Sequence, residues 1–224
     1  PLRFASVLTG IPGVLTPFFD SLSIRPTYLL SPEIIQNEKS VLVLKNILNC
    51  ELGTHLHGEF LCPLAVADPD TTDIPPCGYP PQLERDKLEV LTRLFMDAFG
   101  YPPRSFRAGR FGLSPSTFSI LESLGYTSDS SVTPFRNLAF PGACGVNYWG
   151  APIYSYPTSQ KSLIRAGRQK LREIPVSLSI PRLQNWPLWL LQLANPSKTS
   201  IKKIFRRLGV PVEPVWIRPF RMKP

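Results

Sequence analysis

Cys50-Glu51-Leu52-Gly53-Thr54-His55-Leu56-His57-Gly58-Glu59-Phe60 holds both histidines of a 224-residue chain. In an extended segment, residues two apart point to the same face. His55 and His57 therefore present two imidazoles side by side, with Leu56 turned toward a core. Glu59 continues the parity, although Gly58 can break the strand. Two imidazoles plus a carboxylate suit a divalent metal such as zinc, with a position left for water or substrate. A lone histidine is more often a hydrogen-bonded structural residue. A His-x-His pair that takes all the histidines of the chain raises metal binding to an equal alternative.

Upstream, Ile11 to Leu22 reads as a short helix and Arg25 to Leu30 as a strand. Ser31 with Pro32 and Glu33 is a favourable helix start, for a helix running to about Asn37 to Lys39. Val41 to Leu48 is a second helical stretch, and Glu51 to His57 is the next strand. Downstream comes a long Pro- and Asp-rich loop, Phe60 to Pro81, of the kind that often carries function. Its Asp68, Asp70 and Asp73 lack EF-hand spacing and read as loop carboxylates. Gln82 to Phe99 is the strongest helix, with Leu83, Leu88, Leu91, Leu94, Phe95 and Phe99 on one face and Gly100 as its stop. Ser105 to Arg107 is a short strand, and Ser114 with Pro115 caps a helix from Thr117 to Leu124. Tyr126 to Val132, Tyr148 to Tyr156 and Glu173 to Leu178 read as strands; Trp186 to Leu193 and Ser197 to Leu208 read as helices. Helices alternating with strands on short connections predict α/β layering around a parallel sheet or barrel.

The length suits one large domain, and 43% hydrophobic with 18% charged residues is a globular composition. No apolar run is long enough to span a bilayer. The chain starts at Pro1 without a signal-peptide layout, which suggests a fragment truncated at both ends, from a cytoplasmic protein. The 26 prolines cluster in loops, as at Pro75-Pro76 and Pro102-Pro103. The four cysteines have no CxxC spacing and read as reduced thiols, with a Cys62–Cys77 bridge as the minority reading. The net charge of +9 gathers late in the chain, at Lys198, Lys202, Lys203, Arg206 and Arg207. A solvated helix face is the commoner meaning of such a cluster. No reader motif supports a nucleic-acid partner.

In order, these pieces resemble the polysaccharide deacetylases of the NodB-homology type. Ile24-Arg25-Pro26-Thr27-Tyr28-Leu29 is similar to the strand that follows that family's first motif. Glu51 to His57 resembles its metal-binding histidine motif, and Ser105-Phe106-Arg107-Ala108-Gly109-Arg110-Phe111-Gly112 its arginine motif. Leu124 to Val132 resembles the strand beyond, and Glu173-Ile174-Pro175-Val176 another recurrent strand. The likeness covers about residues 11 to 178. It implies a distorted or partial (β/α) barrel and a divalent metal, usually zinc. The implied reaction is hydrolysis of acetyl groups on an acetylated glycan, with a metal-activated water, an aspartate base and a histidine acid. Arg107 matches the arginine that orients the base. Asp129 falls where a carboxylate stands near the acid histidine. His55 and His57 are the implied metal ligands, with Glu59 as the reserve. Arg110 and Glu59 are the expected substrate-binding residues.

The sequence departs from that pattern. The usual spacing is His-x-x-x-His, and position 59 is Glu; the His-x-His form resembles a branch linked to bacterial surface-glycan synthesis. Asp20 is the only acid upstream of Thr27, and no histidine follows His57. The expectation is a metal-dependent carbohydrate deacetylase whose base and acid motifs lie outside these 224 residues. The alternative is an inactive glycan-binding relative. The expected site lies on one rim, at the C-terminal strand ends, with Phe60 to Pro81 as a groove wall and Trp149 and Tyr154 as stacking surface.

Overall fold

The computed structural model describes residues 4–61, 74–139, 145–179 and 215–216. The expected helices Trp186 to Leu193 and Ser197 to Leu208, the basic cluster and Cys62 lie outside them, as do residues 62–73 of the long loop.

The first strand, β1 (Thr27–Leu30), pairs in parallel with β2 (Glu51–Leu56), and β2 with β3 (Ser105–Ala108). β3 pairs in parallel with β4 (Ser128–Asp129), and β4 with β6 (Arg172–Glu173). β5 (Tyr156–Pro157) closes the row as an antiparallel edge beside β6. The result is a six-stranded, mostly parallel sheet of order β1-β2-β3-β4-β6-β5, an α/β arrangement. Among the described residues it has two edges, β1 and β5. A separate two-stranded antiparallel pair joins β7 (Leu178–Ser179) to β8 (Val215–Trp216).

The helices follow the sequence signals with informative exceptions. A π-helical segment, Ser6–Leu15, precedes α1 (Thr16–Ser21). Pro12 lies inside it and has no N–H to give, so a wider turn replaces regular α-helix there. The helix begun at Ser31 stops after four residues as α2 (Pro32–Ile35). Asn37 then starts α3 (Glu38–Lys45), its Oδ1 accepting from the Ser40 N–H at 2.9 Å. α4 (Pro81–Phe99) ends on Gly100 at φ 81°, a left-handed cap that glycine adopts without a Cβ penalty. α5 (Thr117–Ser123) completes the set.

Three expected strands are shorter than their periodicity suggests. Tyr126 to Val132 yields only Ser128–Asp129, and Tyr148 to Tyr156 contributes only its last residue. Gly150 at φ 86° turns the chain inside the latter. Glu173 to Leu178 is interrupted by Pro175, which cannot donate to a ladder. Ile174 and Val176 still donate to Asp129 and Val132 carbonyls at 2.7 and 2.9 Å.

The two faces of the sheet differ. Leu88, Leu91 and Phe95 of α4 are fully buried beside Leu56, Phe106 and Ala108 in one core cluster. Across that face Tyr126 Oη bridges Thr54 Oγ1 at 2.9 Å and Thr92 Oγ1 of α4 at 3.0 Å. The opposite face carries a cavity of about 480 Å³ lined by Thr27, Leu29, Glu51, Ser105, Arg107 and Ser130.

Candidate functional site

Register decides which side chains meet. His55 pairs with Arg107, while Thr54, Phe106, Asp129 and Glu173 form the next row across β2, β3, β4 and β6. Side chains alternate along a strand, so His55 and Arg107 project to the cavity side. Asp129 and Glu173 project to the helix side. All four expected residues stand at or just past the C-terminal ends of β2, β3 and β4. The structure brings His55, His57, Glu59, Arg107 and Arg110 together and turns the Asp129 carboxyl away from them.

The histidine pair is held from both ends. His55 Nδ1 lies 2.9 Å from the Arg107 carbonyl oxygen. That oxygen can only accept, so Nδ1 carries the hydrogen and Nε2 a lone pair. His57 Nδ1 lies 3.1 Å from Glu59 Oε1. Burial pushes the Glu59 carboxyl up, but hydrogen bonds from backbone and His57, with the nearby charges of His57 and Arg110, hold it below its ordinary value. The carboxylate therefore accepts, so His57 Nδ1 carries a hydrogen. The two Nε2 atoms face each other at 3.0 Å, with ring centroids 4.6 Å apart. At that distance the two nitrogens share either a proton, as an N–H···N hydrogen bond, or a metal cation. Burial pushes His55 down to about 4, with a further push from the charges of His57 and Arg107 against the pull of the Arg107 carbonyl. A neutral His55 at pH 7 leaves its Nε2 available as a ligand.

Two imidazole nitrogens supply part of a divalent-metal donor set. Nitrogens bound to tetrahedral zinc at ~2.05 Å lie roughly 3.3 Å apart. A carbonyl and a carboxylate on the far nitrogens are the usual partners of metal-bound histidines. Glu59 Oε1 meets His57 Nδ1 and, at 3.2 Å, Arg110 Nη2, while its buried Oε2 has no hydrogen-bond partner among the described residues. Among the described residues, no group of three His, Cys, Asp or Glu side chains is placed to hold an ion.

Arg107 is fixed by Ser130, donating from Nε to its carbonyl at 2.7 Å and from Nη2 to its hydroxyl at 2.8 Å. Its guanidinium lies 5.8 Å from the centre of the Phe111 ring. Arg110 and Phe111 adopt left-handed φ values of 52° and 57°, strained for residues with a Cβ. The Tyr148 hydroxyl donates to the Phe111 carbonyl and pins this turn. Phe111 packs against Arg107, and Arg110 reaches Glu59, so the strained turn joins the arginine motif to the histidine motif.

Asp129 is fully buried and accepts from the Ser131 hydroxyl at 2.6 Å and its N–H at 3.2 Å. Glu173, also fully buried, accepts from the Val132 N–H at 3.0 Å through Oε1. No donor reaches Glu173 Oε2. Burial raises both carboxyls, and the neighbouring Asp129 charge adds to the rise at Glu173. A proton on Glu173 is the missing donor, and it binds the two acids together. Burial pushes the Arg107 guanidinium down, against the pull of the Asp129 and Glu173 charges.

Sequence reasoning passed over Lys87, Glu84, Ser130 and the role of Glu173. Glu84 accepts hydrogen bonds from Ser114, Ser116 and Thr117, and Lys87 donates to the turn that follows His57. The signal was present: Glu84, Lys87, Leu88, Leu91 and Phe95 share one helical stripe, so two charges lie in line with the apolar face. Of the expected stacking residues, Tyr154 is 68% exposed. Trp149 meets Phe135 edge-on at 5.6 Å. No described helix is long and apolar enough to cross a membrane.

No protein-family model matches the chain, and no curated protein matches it by sequence. Among solved structures, one described as a "putative polysaccharide deacetylase from Mycobacterium smegmatis" superposes with a TM-score of 0.50 at 16% identity. The match covers 88% of this chain and 60% of that one, so this chain spans less than two thirds of its neighbour's length. At that identity the likeness is one of fold: an α/β chain built like part of that deacetylase structure.

Proposed function

We propose that this chain belongs to a metal-dependent carbohydrate deacetylase and forms the histidine and arginine side of its active site, in a partial (β/α) barrel. The observation that carries this reading is the His55–His57 pair, whose Nε2 atoms converge at 3.0 Å with both Nδ1 atoms already committed. His55 and His57 would hold the ion, which by donor type is zinc. When bound, such an ion polarises an acetyl carbonyl and makes a bound water nucleophilic at neutral pH.

The protein's own residues set the stage for that chemistry. Glu59 fixes the His57 ring through Nδ1. Arg107, held by Ser130, places a positive charge beside His55 on the cavity face, where an oxyanion or an ionised base would be stabilised. Asp129 supports that charge from behind the sheet. Arg110 and Glu59 present polar groups at the rim, suited to sugar hydroxyls. The aspartate base and the histidine acid of the resembled family have no counterpart in this sequence, so turnover belongs to a longer protein.

Zinc titration followed by calorimetry tests the reading. Weak one-to-one binding to the 224-residue chain, abolished by His55→Ala and by His57→Ala, is expected, with acetate release only from a longer parent protein. Absence of zinc binding in both proteins sinks it. That result would favour the inactive glycan-binding relative, a reading supported by the lack of a three-residue ligand set among the described residues.

A further inference from the structure

We propose that Lys87 is a positioning residue for the histidine pair, acting through the turn that carries Glu59. The inference rests on the metal-site reading above and extends it to α4, on the other side of the sheet.

Lys87 is 1% exposed, on the stripe of α4 that packs into the core. Its ammonium donates to the carbonyl of Gly58 at 2.7 Å and to that of Leu61 at 2.9 Å. These two carbonyls bracket the short 3-10 turn Gly58–Phe60 that leaves β2 directly after His57. A buried cation demands acceptors, and its stem is fixed in a rigid helix. The turn is therefore anchored to α4 at both ends, with Glu59 between them. The Tyr79 ring lies 5.6 Å from the same ammonium, and its hydroxyl packs where a Cβ at Gly58 would stand. The Leu61 N–H also donates to the Gly58 carbonyl, at 3.3 Å.

The consequence reaches the imidazoles by a short route. The turn places Glu59 Oε1 3.1 Å from His57 Nδ1. That bond sets the tautomer and orientation of the ring, and with them the direction of Nε2. Outer partners of this kind change metal affinity by about 10- to 100-fold when removed. The ammonium bonds of Lys87 go to the two ends of the turn, so its effect on the imidazoles passes through Glu59.

A double-mutant cycle on the intact chain tests this, with zinc affinity from calorimetry and folding from circular dichroism. Lys87→Met should weaken zinc binding about 10-fold, near the effect of Glu59→Ala. In the Glu59→Ala background the same change should cost less than about 2-fold, because coupled residues are not additive. Zinc binding by Lys87→Met at the wild-type level overturns the proposal. So does a full 10-fold loss in the Glu59→Ala background, which marks a general structural effect. If Lys87→Met does not fold, Lys87→Gln, which keeps a neutral donor, takes its place in the cycle. If the wild-type chain binds no zinc, the metal reading fails by itself, and nitrogen chemical shifts of the His57 ring decide on Lys87. A protonated Nδ1 in the wild type that is lost in the Lys87 variant supports the positioning role; an unchanged tautomer overturns it.

Discussion

Glu59 and Glu173 are the same residue type a few strands apart, and the protein treats them in opposite ways. Glu59 sits at the rim, against His57 and Arg110, and its pKa is held below the ordinary value despite partial burial. Glu173 lies under the sheet beside Asp129, and its pKa is driven well above the ordinary value. The Arg107 charge acts on the buried pair, but its hydrogen bonds go to Ser130. A carboxylate that meets cations stays charged and can orient a ring; one that meets another carboxylate keeps its proton and cements a core.

Removing the side chains should break the comparison most visibly. Glu173→Ala should cost about 3 kcal/mol, from the cavity and from a buried Val132 N–H left without its acceptor. Chemical denaturation measures it, and a loss under about 1 kcal/mol would show that the pair does not stabilise the core.

Acidity separates the two sites by sign. Glu173 binds its proton more tightly when folded. Its contribution is complete below the ordinary carboxylate range and is lost as pH rises through its raised folded pKa, with a slope of up to about 1.4 kcal/mol per pH unit for one proton. Glu59, with a lowered pKa, contributes above the ordinary range and loses that contribution as pH falls. Denaturation across pH 5 to 9 should show the decline in the wild type and its absence in Glu173→Gln, at roughly that slope.

An amide swap sharpens the contrast. Glu173→Gln keeps a donor toward Asp129 and should cost less than about 1.5 kcal/mol, leaving zinc affinity unchanged. Glu59→Gln should leave stability within about 0.5 kcal/mol and weaken zinc about 10-fold. Equal zinc losses in both variants would erase the distinction between an orienting and a structural acid.

The smallest effect is expected at Arg110. Glycine there would relieve the left-handed φ of 52°, gaining about 0.5 to 1 kcal/mol, and lose the bond to Glu59. A net change within about 0.5 kcal/mol in thermal denaturation is expected; a loss above 2 would mean that the arginine does more than restrain Glu59.

Much of this architecture is legible in the sequence, because local signals and tertiary demands agree. The α4 stripe with its Gly100 stop, the His-x-His strand and the Arg107 strand all follow from periodicity and caps. What the sequence does not show has one cause, which is that partners far along the chain decide the surroundings of these residues. Asp129 looks like a rim acid until Glu173, 44 residues later, pairs with it across β4 and β6. Strand parity alone would have turned it from Arg107 once the register was known. Glu59, the reserve ligand, meets Arg110 as well as His57 because Arg110 arrives from beyond β3. Lys87 looks like a solvated charge until the turn after β2 folds over α4.

The order of the strands has a consequence for synthesis on the ribosome. β1, β2, β3 and β4 lie side by side in the order in which they are translated. Each finds its neighbour already made. His55 and Arg107 can thus be aligned while the second half of the chain is still emerging. β5 is different: it is made before β6 yet lies outside it, so its place on the sheet does not exist until β6 docks. Asp129 also waits, a buried acid without its partner until Glu173 arrives. Pulse-labelled hydrogen exchange during refolding should accordingly protect the amides of β2 and β3 before those of β5 and β6, making the cavity face the older half of the molecule and the carboxyl pair its closing clasp.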